Sequence, residues 1–168
     1  MMHWDCLNFV TEQVGDQLFP SVLEIGGMNV NGSVRQYVRH ETWHTVDIVD
    51  GPDVDEVADA GEWRPQVSYD LVLCLEVFEH AWNWPSMVQT MFLACGMNGL
   101  VVATCATDPR EPHDAYGAAG PPPLGQYYRN VNPGECVGFF GKYFNSVKMT
   151  VLDRGDLQIV AHSPRLPV

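Results

Sequence analysis

Glu24 is the first residue in this sequence whose type and place suit ligand chemistry. It lies in the apolar run Ser21-Val22-Leu23-Glu24-Ile25, just before Gly26-Gly27-Met28-Asn29-Val30-Asn31-Gly32-Ser33. A strand, a glycine-containing turn and a helix start together form a nucleotide-binding crevice, because glycine lets a ligand approach the backbone closely. Three ligand types compete for such a crevice. A dinucleotide asks for G-x-G-x-x-G, but Met28 occupies the second glycine position. A P-loop asks for two glycines five apart followed by Lys and Ser or Thr. Gly27 and Gly32 have that spacing, but Ser33 stands where the lysine belongs. The carboxylate of Glu24 decides among them: it repels a pyrophosphate and attracts the ammonium of a methionine moiety. The segment therefore reads as a site for an amino-acid-bearing nucleoside, with Gly26, Gly27 and Asn31 in its turn.

Two further acids follow in order. Asp47, with Ile48 beside it, lies near the end of the next strand, where an acid commonly accepts hydrogen bonds from ribose hydroxyls. Asp59 falls after a short third strand. Each alone is more often a turn or helix cap, and their order after Glu24 is what gives them weight. The last segment with chemical content is Tyr69-Asp70-Leu71-Val72-Leu73-Cys74-Leu75-Glu76-Val77-Phe78-Glu79-His80, a buried strand running into two acids and a histidine.

The elements that must position these residues alternate between strand and helix. Spacings near three and four among Trp4, Leu7, Phe9, Val10, Val14 and Leu18 predict an N-terminal helix over 1–19, stopped at Pro20. Strands are predicted over 21–25, 43–49, 54–58, 69–75 and 100–105, with short helices over 33–39 and 85–95. The stretch 107–133 is rich in Gly and Pro, and a loop of that length is usually functional. Segments 146–152 and 157–161 around Asp153-Arg154-Gly155-Asp156 predict an antiparallel hairpin. The expectation is one α/β domain over 1–168, Rossmann-like and doubly wound. Its seven-stranded-type sheet is mostly parallel, with an antiparallel C-terminal hairpin strand and a substrate loop or lid over 107–140.

Within this frame, VLEIGGMNVNGS resembles the first motif of class I S-adenosylmethionine-dependent methyltransferases, and Glu24 and Gly26 match its E-x-G strictly. The run into E-V-x-E-H at Glu76–His80 is similar to the family's fourth-strand motif and is the most specific match. The resemblance spans about residues 21–105 and points to S-adenosylmethionine as cofactor. It implies that Asp47 meets the ribose, Asp59 the adenine amino group, and Leu75 and Glu76 flank the cofactor. Glu79 and His80 are then placed near the transferring methyl or in the local turn. The Met97-Asn98-Gly99 turn resembles the family's Pro-Gly-Gly turn with two residues changed.

Methyl transfer displaces an already activated sulfonium, so alignment carries much of the rate, and a base is needed only for an acceptor of high pKa. His80 and His113 are the candidate bases, with a structural role for His80 at even weight. The segment 111–129 resembles the family's substrate loop, and Tyr127, Tyr128 and Arg129 are its candidate acceptor contacts; packing under a long loop is the competing account. Trp82 and Trp84 read as core or partner-contact residues more than as a roof over the cofactor. No metal is expected. His40 and His44 lie in a strand-like run without a third ligand nearby, and Asp50, Asp53, Asp55 and Glu56 lack the order of a calcium loop.

Composition narrows the partners. Nine basic residues against 21 acidic ones give a net charge of −12, which disfavours direct nucleic-acid binding. Five scattered cysteines without a C-x-x-C predict free thiols in a reducing cytoplasm. The sequence shows neither a signal segment nor an apolar run long enough for a membrane helix. Arginine outnumbers lysine, which suits a GC-rich bacterial or phage genome. The Asn31-Gly32-Ser33 sequon carries little weight without a secretory context. The expected activity is methyl transfer to a small molecule, a sugar or a protein side chain. The alternative is a catalytically inactive cofactor-fold protein serving as an interaction or regulatory module, in which tryptophans form an exposed patch and side chains block the crevice.

Overall fold

The apolar runs are laid down as one seven-stranded sheet, seen in a computed structural model that describes residues 4–30 and 32–165. Asn31 lies outside the described residues. The strands are β1 (Leu18–Ile25), β2 (Arg39–Asp47), β3 (Glu56–Val57), β4 (Tyr69–Leu75), β5 (Cys95–Ala106), β6 (Phe144–Val151) and β7 (Asp156–Pro164). Their order across the sheet is β3-β2-β1-β4-β5-β7-β6. The first five pair in parallel, and β7 joins β5 and β6 antiparallel. This is the expected α/β architecture, antiparallel ending included.

Strand alternation sends successive side chains to opposite faces. Leu23, Ile25, Val72, Cys74, Val101 and Ala103 meet α2 (Trp84–Ala94) and α3 (Pro133–Tyr143), whose Met87, Met91 and Phe140 complete that layer. Val22, Leu71, Leu73, Leu100 and Val102 turn the other way. There they meet Phe9, Val10 and Val14 of α1 (Trp4–Val14) and Val34 of a short 3-10 turn at Val34–Tyr37. Among the described residues, no helix is long and apolar enough to cross a membrane.

Several boundaries differ from expectation. The N-terminal helix stops at Val14, and Leu18–Pro20 belong to β1. Pro20 has no partner in the register with β2, which passes from Phe19↔His40 to Ser21↔Thr42, and its carbonyl accepts a hydrogen bond from Thr42 Oγ1 at 3.0 Å. β2 begins at Arg39 and ends at Asp47, leaving Ile48 and Val49 beyond the sheet, and the third strand shrinks to Glu56–Val57. β5 opens at Cys95, but its register with β4 jumps from Tyr69↔Cys95 to Leu71↔Leu100, so Met97-Asn98-Gly99 form an irregularity ahead of the continuous pairing. Gly99 makes this possible, since a Cβ there would sit 3.0 Å from the Tyr69 carbonyl oxygen. The long loop ends at Asn132, whose side chain accepts hydrogen bonds from Gly134 and Glu135 N–H and caps α3. Residues 133–140 are thus helix, not lid.

Candidate active site

The strand order changes direction between β1 and β4, and the crevice beyond their carboxyl ends is where open α/β sheets bind ligands. Two adjoining lobes of about 160 and 240 Å³ open there. They share Gly26, Met28, Val30, Glu76, His80, Ala115 and Tyr116. The first lobe also reaches Cys6 of α1, Glu24, Gly27 and His113. The second reaches Asp47, Ile48, Asp59, Trp82, Asn83 and Met87. The crevice is open, so the blocked pocket expected of an inactive module is not what the fold builds.

Glu24 lines the first lobe while 92% of its surface is withdrawn from solvent, being 8% exposed. Trp43 Nε1 donates a hydrogen bond to its Oε2 at 3.1 Å. Burial pushes its carboxyl up to about 7, against the opposing pull of the Trp43 bond and of Arg35. Beside it, Gly26 turns the chain at φ 70°, and a Cβ there would overlap the Val77 side chain. A Cβ on Gly27 would lie 2.6 Å from Glu24 Cγ. Both glycines therefore keep the crevice clear.

Asp47 accepts hydrogen bonds from the N–H groups of Met28 and Val49, each at 3.0 Å. It joins the first loop to the end of β2, which is the turn role weighed above, while its carboxylate still lines the second lobe. Asp59 accepts from Gly61 N–H at 2.8 Å and from Asn83 Nδ2 at 2.9 and 3.1 Å. Ile48 stands 68% exposed and Trp82 74% exposed at the rim of this lobe, whereas Trp84 packs on Phe78 and Phe139 in the core. Trp82 and Trp84 therefore have different roles, and Trp82 does border the cofactor-sized space.

Leu75 ends β4, and Glu76 follows with φ 58°, an uncommon left-handed conformation for a residue with a Cβ. Its N–H donates to the Thr104 carbonyl at 2.8 Å, and its carboxylate pairs with Arg110 at 3.5 Å. Burial raises its carboxyl and Arg110 opposes the rise. Arg110 also pairs with Asp156, tying the start of the long loop to β7.

Glu79 is wholly buried and lines neither lobe directly. Its Oε1 accepts from Ala106 N–H at 3.1 Å and its carbonyl from Arg129 N–H at 2.8 Å. Burial, with Glu76 nearby, holds its carboxyl well above the usual range. His80 faces both lobes, and burial together with His113 pushes its imidazole down to about 4. His113 is lowered by burial as well. The rings of His80, His113 and Tyr128 pack edge-on, with centroids 5.0, 5.4 and 4.8 Å apart.

The structure thus packs the Tyr128 ring on the histidines, while Tyr127 meets His80 through its backbone. Tyr127 lines neither lobe, and the Arg129 side chain points out to Glu135 at 3.7 Å. Sequence reasoning missed Cys6, Asn83, Arg110 and Tyr116; only their fold-level neighbours show their place. It also missed that Glu79, His80 and His113 each offer a ligand atom within 4.8 Å of the others. His40 and His44, by contrast, sit four residues apart on β2, about 13 Å along a strand. His44 bonds Tyr69 and faces Glu56 there.

No protein-family profile matches the sequence, and no curated protein matches it either. Solved structures do match the fold. DhpI, crystallised with S-adenosylhomocysteine, superimposes with a TM-score of 0.68 at 14% identity, over 95% of this chain and 84% of that one. The N-methyltransferase NodS of Bradyrhizobium japonicum, also with S-adenosylhomocysteine, gives 0.65 at 11% identity over 96% and 86%. The 1,6-didemethyltoxoflavin-N1-methyltransferase of Burkholderia thailandensis gives 0.66 at 14% identity over 95% and 77%. The fold is that of the class I S-adenosylmethionine-dependent methyltransferases.

Proposed function

We propose that this chain transfers the methyl group of S-adenosylmethionine to a small-molecule acceptor. The observation that carries the reading is the buried Glu24 carboxylate in the open crevice at the β1/β4 switch point, a counter-charge for an ammonium and not for a phosphate. The structural neighbours crystallised with S-adenosylhomocysteine, one of them together with 1,6-didemethyltoxoflavin, support it. In this reading the methionine end lies over Gly26 and Gly27 against Glu24. Asp47 takes the ribose, Asp59 with Asn83 the adenine amino group, and Ile48 and Trp82 the faces of the base. Leu75 and Glu76 border the sulfonium.

The acceptor enters on the side of Tyr128, His80 and His113. Its lone pair attacks the methyl carbon in line, the carbon–sulfur bond breaks, and S-adenosylhomocysteine leaves with that electron pair. His80 and His113 face the acceptor and orient its nucleophilic atom, whose proton passes out along this side of the crevice to solvent water. Glu79 acts through them as a positioning residue, holding the end of β5 and the start of the Arg129 segment in place. Much of the rate comes from this alignment and from exclusion of water. Five buried free thiols support a reducing compartment such as the cytoplasm, and the arginine bias supports a bacterial or phage source.

The reading is tested by S-adenosylhomocysteine release over a panel of small amines, phenols and hydroxylated heterocycles. Release with at least one compound is expected, and His80→Ala should lower it at least tenfold while binding the cofactor normally. A protein that binds cofactor but releases no product across the panel would contradict the small-molecule acceptor.

A further inference from the structure

Two buried polar atoms at one place have no hydrogen-bond partner among the described residues: Glu79 Oε2 and His80 Nδ1. Native proteins seldom leave such atoms unmet, so each calls for a ligand, a water or an ion. Their surroundings have the form of a metal site. The other oxygen of Glu79 is held by Ala106 N–H. Nδ1 of His113 lies 3.3 Å from the Glu111 carbonyl, and His80 meets the backbone of Tyr127. One nitrogen of each ring is thus set against the backbone, and the other is left with its lone pair. Metal-binding imidazoles are oriented by this kind of outer contact.

We propose that Glu79, His80 and His113 bind a divalent first-row transition ion of the zinc type, with open coordination positions on the side that the two histidines line. Two imidazoles and one carboxylate are an established donor set for such ions, and a site that keeps a free position for water or substrate has three protein ligands. His113 Nε2 is already 3.9 Å from Glu79 Oε1. Donor atoms on one ion of this type stand at most about 4.2 Å apart. One ligand atom from each of the three residues lies within 4.8 Å of the other two, near that limit, and His113 sits on the long loop. Resting on the methyl-transfer reading, the ion's place is beside the acceptor, where it holds an acceptor oxygen or nitrogen and makes its proton more acidic.

The test titrates chelator-treated protein with Co²⁺, read by its visible absorption, and with Zn²⁺ in competition. One equivalent should bind, with affinity falling at least a hundredfold in His80→Ala and His113→Ala and unchanged in His162→Ala. Circular dichroism of each variant shows whether it is folded. Absence of saturable binding by folded protein, or equal binding in His113→Ala, overturns the proposal. A parallel titration with S-adenosylhomocysteine keeps the two readings separate. Cofactor binding without metal binding defeats the metal site alone. Metal binding without cofactor binding upholds the metal site and defeats the methyl-transfer reading.

Discussion

Replacing Glu24 by Gln should make the protein more stable at neutral pH while removing its grip on the cofactor. Burial lifts the Glu24 carboxyl from an ordinary value of 4.5 to about 7. The folded chain therefore holds this proton more tightly than the unfolded chain does. For an acid shifted upward, the stability it contributes is complete below pH 4.5 and is lost as pH rises to about 7. Above that the cost is constant, roughly 3 kcal/mol at about 1.4 kcal/mol per pH unit. Glutamine keeps an oxygen for the Trp43 donor and carries no charge to desolvate. The variant and the parent should thus be equally stable near pH 4.5 and separate by up to about 3 kcal/mol at pH 8. That corresponds to a rise in Tm of about 6–12 °C for a domain of this size. Urea unfolding at several pH values reads the difference directly, since the contributions of all other acids cancel between the two proteins. In the same variant, cofactor affinity should fall about 10- to 100-fold, the worth of a charge-assisted hydrogen bond. A Glu24→Gln protein no more stable than its parent at pH 8, or a difference that does not change with pH, would refute the reasoning.

Other consequences follow from the same geometry. Because the ammonium needs an ionised Glu24, affinity for S-adenosylhomocysteine should drop about tenfold from pH 8 to pH 6, with about one proton released on binding at pH 6, as calorimetry in buffers of different ionisation enthalpy will show. Gly26→Ala forces a Cβ into a left-handed backbone and into the Val77 side chain. It should lose about 1–2 kcal/mol from conformation alone, measured by thermal unfolding, and weaken cofactor binding more than proportionately. Phe140→Ala empties the centre of the layer beneath α3, where Phe140 meets Phe78 and Phe144, and should cost about 3–5 kcal/mol in denaturant unfolding without moving a site residue.

What could be read from the residues depended on how local the determining physics is. Tyr69–Leu75 was legible to the residue, because a continuous apolar run with charged ends suits a strand buried on both faces. The switch-point crevice was legible through Glu24 and Gly26, since strand, turn and ligand contact lie within a few residues. Pro20 misled, because a proline that ends a helix is also accepted where a strand ladder skips a residue, and the β1–β2 register passes over it. Gly99 signals a local break, and in the fold it lies in the β4–β5 register irregularity, close against the Tyr69 carbonyl. Asp47 and Asp59 were singled out by position, and both line the crevice. Their bonds to Met28, Val49, Gly61 and Asn83 came only from the fold. The cluster of His80, His113 and Tyr128 is assembled by a loop folding back over the sheet, and no periodicity records that. For the same reason Tyr127 and Arg129 were grouped with Tyr128, although of the three it is the Tyr128 ring that packs on the histidines.

The central claim is that the crevice between β1 and β4 is built for S-adenosylmethionine. It is tested most directly by calorimetric titration of S-adenosylmethionine and S-adenosylhomocysteine into the parent protein and into Glu24→Ala. The account predicts a single site of micromolar affinity for both ligands in the parent, and its loss in a variant that circular dichroism shows to be folded. No binding of either ligand by the folded parent, or equal binding by Glu24→Ala, would contradict it.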